Sequence, residues 1–138
     1  MSNIFILTWG GKKSQRQLVE DITSWYINTK LPRYKNLNIE IDLEKIDDAQ
    51  GFCTEIDKRE FHIQIDKRLE GDDFITCVFH ELVHVKQHLK KELKDDNGCF
   101  SMWKGKEIHH GDSNYYELPW EKEAYELQET LLKEYKNA

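Results

Sequence analysis

Two hydrophobic rhythms alternate along this chain. Residues 4–9 form an apolar run closed by Gly10-Gly11, which reads as a first strand or an ordered arm. From 14 to 28 the spacing becomes helical, with Leu18, Ile22, Trp25 and Tyr26 on one stripe, until Lys30-Leu31-Pro32-Arg33 breaks it. Residues 37–43 (LNIEIDL) alternate strictly, as a half-buried strand does. A turn over 47–51, a short strand over 52–56 and a tight polar turn over 57–60 follow. A second alternating strand then covers 61–66 (FHIQID), with Phe61, Ile63 and Ile65 on one face.

The second half returns to the helical period. Gly71-Asp72-Asp73 carries N-cap chemistry. The spacing after it predicts a helix over 74–93, with Phe74, Val78, Leu82, Val85 and Leu89 on one side. A loop over 95–98, a short hairpin over 99–108 around Lys104-Gly105 and a loop over 111–114 are expected next. Pro119 sits where a helix opens, and Trp120, Ala124, Leu127 and Leu131 form the seam of a last helix to about Tyr135. The sum is an α+β fold, in which helices cover a small antiparallel or mixed sheet. Nothing in the sequence suggests a repeat or a linker, so one domain over residues 1–138 is expected.

Charge narrows the function. Twenty basic and 26 acidic residues leave a net charge of −6, which argues against a nucleic-acid partner, whose binding needs a positive footprint. Lys86, Lys90, Lys91 and Lys94 are the best basic cluster and read as a solvated helix face. The cysteines, Cys53, Cys77 and Cys99, are odd in number and lack C-x-x-C spacing. They predict reduced thiols rather than a disulfide framework or a thiolate metal site, with Cys77 a small core residue. The apolar run at residues 4–7 is too short for a signal peptide, and no stretch approaches the roughly 20 apolar residues of a membrane helix. A cytoplasmic protein with no membrane partner is the expectation. The sequence leaves the oligomeric state open.

The chemistry concentrates in His80-Glu81-Leu82-Val83-His84, an H-E-x-x-H pattern. Histidines at i and i+4 share one helix face and can reach one ion. A metal there acidifies water, and the glutamate beside the first histidine can take the proton. The pattern arises by chance in roughly one chain of this length in several hundred. Here, however, it is centred in a strongly apolar helix, where two weak helix formers need a reason. Zinc wants a third protein ligand. Three histidines on one straight helix would span about 12 Å, so His88 reads as a surface residue. His109-His110 lies in a loop that can swing to the site. Glu121 and Glu123 lie in the first turn of the last helix, where the helix dipole alone would favour acids. Glu121 shares its side with Tyr125 and Leu132, whereas Glu123 continues into Glu126, Thr130 and Glu134; Glu121 is therefore preferred. Gln87 faces either that helix or solvent.

These pieces, strand 61–66, helix FITCVFHELVHVKQ and the late LPWEKEAY, resemble the gluzincin metallopeptidases, in particular the compact minigluzincins and phage-type metallopeptidases. The resemblance covers about the last 80 residues. It implies a zincin-like fold: a small sheet on an active-site helix, a C-terminal ligand helix and an N-terminal helix. It also implies a zinc-dependent peptidase acting on peptides or proteins, with His80, His84 and Glu121 on the metal and Glu81 activating the zinc-bound water. The strand before the motif, 61–66, would be an edge that receives extended substrate. A tyrosine or histidine would steady the oxyanion, which makes Tyr115, Tyr116, His109 and His110 candidates. In gluzincins the third ligand opens a glutamate-x-x-x-aspartate pattern, and here Tyr125 stands at the aspartate position. The alternative is an inactive zinc-binding or protein-interaction module of the same fold.

Overall fold

The computed structural model describes residues 3–95, 100–110 and 115–138. Strand β1 (Asn3–Gly10) leads into helix α1 (Lys13–Lys30), then β2 (Asn36–Glu44), β3 (Gly51–Asp57), β4 (Glu60–Asp66) and helix α2 (Gly71–Leu89). Three short strands follow, β5 (Leu93–Asp95), β6 (Phe100–Trp103) and β7 (Lys106–His109). A 3-10 turn over Tyr115–Glu117 precedes helix α3 (Pro119–Lys136). The loops expected over 95–98 and 111–114 lie largely outside the described residues, as does Cys99.

The main sheet is mixed, in the order β1-β2-β4-β3. The 18-residue helix α1 returns the chain far enough for β2 to run parallel to β1. β3 and β4 form a hairpin, and β4 inserts beside β2, parallel to it. Strand 61–66 is therefore interior and not the edge that the resemblance implied. The edges are β1 and β3. Lys104 and Gly105 both take positive φ, 49° and 84°, the backbone of a type I′ turn joining β6 to β7.

The core lies on one face of the sheet. Ile39, Ile41, Ile63 and Ile65 meet Val78, Leu82 and Val85 of α2 and Val19, Ile22 and Tyr26 of α1 in one buried cluster. Each such side chain contributes roughly 1.5–3 kcal/mol by leaving water. The other face carries Glu40, Asp42, Glu44, His62 and Gln64, all at least partly exposed. A second, smaller cluster joins Leu93, Leu118 and Trp120 under the β5-β6-β7 sheet.

Four further expectations change. Helix α2 starts at Gly71 with Glu70 as its N-cap, without a side-chain capping bond. It ends at Leu89 rather than 93, because Leu93 leaves to pair with Trp103. Lys86 is not on a solvated face, since its ammonium lies between Glu123 (2.7 Å) and Glu92 (2.9 Å). His88 is not a surface residue. Its ring tilts against Phe61 at 6.1 Å and stands 3.9 Å from Glu55. No described helix is long and apolar enough to cross a membrane.

Candidate metal centre

Helices α2 and α3 pack face to face, and small Ala124, fully buried, lies in the α3 seam. His80 and His84 stand one turn apart on α2. Glu121 lies in the first turn of α3, which Pro119 opens. All three are buried, and Glu121 is only 3% exposed. Their ligand atoms lie within 4.8 Å of one another. His80 Nε2 is 2.9 Å from Glu121 Oε1, and His84 Nε2 is 3.3 Å from Oε2. Glu123 points elsewhere, to Lys86, Gln87 and Lys104.

The far side of each imidazole decides what the near side offers. His84 Nδ1 is 2.7 Å from the amide oxygen of Gln87. That oxygen is fixed in place because the Gln87 nitrogen donates to the Trp120 carbonyl (3.0 Å) and to Glu123 (3.1 Å). His80 Nδ1 meets Gln128 Oε1 at 2.8 Å. Both Nδ1–H groups thus donate to amide oxygens, and in the neutral imidazole both Nε2 atoms present lone pairs. Two imidazole nitrogens and a carboxylate thus converge on one point, which either an imidazole proton or a metal cation can hold together. With these ligand atoms all within 4.8 Å of one another, the three residues could hold a metal ion.

Electrostatics agree with the geometry. Burial pushes the Glu121 carboxyl up, but the hydrogen bonds and charge of His80 and His84 outweigh it and hold the group at about 2. Burial lowers His84, and Glu121 more than reverses this, leaving it raised. Glu81 is also withdrawn from solvent, and burial lifts its carboxyl to about 7 against the pull of both histidines.

Glu81 and His80 line a cleft of about 860 Å³, within the size range of small-ligand and peptide sites. One wall is the 46–51 segment at the start of β3, backed by Asp66, whose carboxylate takes the Arg68 guanidinium at 2.8 Å. Gly51 makes close approach possible there. A Cβ at this position would stand 2.8 Å from the Gln64 carbonyl, 3.0 Å from Glu81 Oε2 and 3.1 Å from Cys77 Sγ. Cys77 is the small buried residue expected, its thiol donating to the Gln50 carbonyl at 3.4 Å. The opposite wall is aromatic. Tyr125 covers His80 at 4.5 Å, Tyr116 tilts against Tyr125 at 5.6 Å, and Tyr115 crosses Tyr116 at 5.7 Å. The Tyr115 hydroxyl donates to Glu121, and burial followed by that carboxylate's charge keeps it protonated.

The structure thus gathers His80, Glu81, Tyr115 and Tyr116 around one cleft, and sets buried Glu121 against His80 and His84. It leaves His109 and His110 outside. His109 is exposed, near Glu107 and Phe100, and His110 bonds Ser101 at 3.0 Å and abuts Trp120. Gln128 escaped the sequence reading although it had a signal. It lies seven residues after Glu121, two helical turns along the stripe that also carries Tyr125 and Leu132. The cleft roles of Gly51, Asp66 and Arg68 had none, because they come together only through the sheet. Comparison with protein-family models, curated proteins and solved structures yields no match, so the reading of this centre rests on its residues and their geometry.

Proposed function

We propose that this chain is a zinc-dependent metallopeptidase of the gluzincin type. The observation that carries the reading is the convergence of His80, His84 and Glu121 from two helices, with Glu81 buried beside them and facing a substrate-sized cleft. When bound there, zinc supplies a Lewis acid that polarises a carbonyl and acidifies water.

The chain's own residues do the rest. Glu81 takes a proton from the attacking water as its oxygen bonds the peptide carbonyl carbon. It then passes that proton to the amine nitrogen as the C–N bond breaks, so the products are a carboxylic acid and an amine. Tyr115 borders the same space, and its hydroxyl, which donates to Glu121, would turn to the carbonyl oxygen as that oxygen gains charge. Gln87 and Gln128 hold the two imidazoles in one tautomer. The edge that receives extended peptide is β3, whose start at Gly51 borders Glu81, in place of strand 61–66. Tyr125, where gluzincins carry an aspartate, shields the His80 ring instead.

Elemental analysis and a peptidase assay test this together. The expected result is about one zinc per chain, lost in Glu121→Ala and kept in Glu123→Ala. Glu81→Gln should retain the metal and lose about 10²–10⁴-fold in turnover, the range of general acid–base catalysis. Full function with Glu81→Gln would instead make the chain a zinc-binding or protein-interaction module. Absence of zinc from the wild type after reconstitution would sink both.

A further inference from the structure

The two edges of the main sheet are built differently. β3 borders the cleft, whereas β1 lies at the far end and, among the described residues, has a strand neighbour on one side only. Its register against β2 runs unbroken from Asn3 to Gly10, and the Asn3 N–H donates to the Lys35 carbonyl at 2.6 Å. In a parallel ladder, residues of one parity bond the neighbour throughout. Residues 3, 5, 7 and 9 therefore turn their backbone to β2, and Ile4, Ile6 and Thr8 present theirs to the open edge. The usual devices that blunt an edge are missing, since the strand holds no proline, no charged side chain and no bulge. A guard stands only at its end, where Arg16 binds the carbonyls of Gly10 and Gly11 at 2.8 and 2.9 Å. On the outer face Phe5, Leu7 and Trp9 are 59%, 43% and 55% exposed, a continuous apolar row of the kind that marks an interface.

We propose that β1 pairs antiparallel with β1 of a second copy, across a two-fold axis at Leu7. Three features select a second copy over another partner. The row is self-complementary, because an axis at Leu7 sets Leu7 against its symmetry mate and Phe5 against Trp9, so that apolar meets apolar at every position. Backbone parity agrees, since the same axis brings Ile6 opposite Thr8, the residues whose N–H and C=O groups point outward, as a hydrogen-bonded pair. The charge also permits it. The acidic row beside β1 is Glu40, Asp42 and Glu44 on β2, the last two tied to His62 and Gln64. In the dimer the two β2 strands stand three strand spacings apart, about 14 Å, beyond the Debye length of about 8 Å at physiological salt. A basic peptide drawn to those carboxylates would have to cross the apolar row to reach them. The product is one eight-stranded sheet with β3 and its cleft at each outer end, so both clefts stay open. The pairing does not depend on what the cleft does.

Sedimentation velocity of the full chain tests it between about 1 and 200 µM, the range that a small interface populates. Wild type should pass from monomer to dimer. Leu7→Lys and Leu7→Glu each place like charges on the axis and should stay monomeric with unchanged circular dichroism. Mixed in equal amounts, the two variants place opposite charges there and should recover the dimer. A measurement that needs no variant is amide hydrogen exchange in wild type. Protection at Ile6 and Thr8 should rise about tenfold from the lowest to the highest concentration. A wild type that stays monomeric with concentration-independent exchange, or a dimer that survives both single substitutions, overturns the proposal.

Discussion

Along one side of α2 run Phe74, Val78, Leu82 and Val85, and along the opposite side His80, His84 and Gln87. Both sets are withdrawn from solvent. The first set lies in the cluster that includes Ile39, Ile41 and Ile63, and gains free energy by burial alone. The second gains nothing that way. A buried polar group costs free energy unless it is bonded, and a buried charge costs more. That side is tolerable because its outer donors and acceptors are matched: Gln87 to Trp120 and Glu123, His80 to Gln128, and His84 to Gln87. A helix built for stability alone would carry apolar residues on both sides. The contrast teaches that burial alone does not account for the polar side, and the proposed metal centre would give it its purpose.

The largest effect expected from testing this contrast is on the apolar side. Leu82 is fully buried, and Leu82→Ala removes three carbons and leaves a cavity. It should lower the unfolding free energy by about 2–5 kcal/mol, measured by urea denaturation. Zinc affinity of the folded protein should stay within about threefold of wild type, because the side chain points away from the ligands. A large affinity loss would mean that the two sides of the helix are not separable.

Gln87→Ala should act on both quantities. It strips the partner from the His84 Nδ1–H and from the Trp120 carbonyl, so stability should fall by about 1–3 kcal/mol. Zinc affinity, measured by competition with a chromogenic chelator, should fall about 10–100-fold as the imidazole loses its fixed tautomer. Unchanged affinity would show that Gln87 is packing only, and would remove the distinction between the two sides.

The sequence showed these two sides unequally. The apolar stripe of α2 and the i, i+4 histidines were visible, because helical periodicity reports both. Glu121 was preferred over Glu123 from the companions on its face, and the structure places it against both histidines. Strand direction was not legible. Alternation in LNIEIDL and FHIQID says that one face is buried, and it reads the same for parallel and antiparallel neighbours. Nor could it correct the resemblance, which implied an edge for strand 61–66, a strand that lies between β2 and β3. The end of α2 was misplaced because Lys90 and Lys91 are acceptable helix residues. What stops the helix is tertiary, the pairing of Leu93 with Trp103 and its burial beside Trp120. His109 and His110 looked close to the site because they precede the ligand helix, but the small sheet holds them away from the cleft.

The smallest effect concerns a polar group buried by a third arrangement, one paired with a full charge off the helix. Asp66, at the end of β4, is almost fully buried. Its hydrogen bonds to Arg68 outweigh that burial and hold its carboxyl at about 2, below the usual aspartate value near 3.9. A depressed folded-state pKa adds stability that is complete above the unfolded value and is lost as pH falls through the folded one. For Asp66 the window therefore runs from about 4 down to about 2. Asp66→Asn should be less stable than wild type at neutral pH, and the difference should shrink across that window and close near its lower end. Chelator-treated protein suits the comparison, because acid also protonates metal ligands. Two denaturation series, wild type and variant, from about pH 7 to 2 would show it. Parallel curves with a constant offset would mean that replacing the carboxylate by an amide changes packing alone. In that case the Arg68 contact is a surface ion pair of little consequence, and the matched hydrogen bonds between α2 and α3 would stand as the structural support of the centre without help from this wall of the cleft.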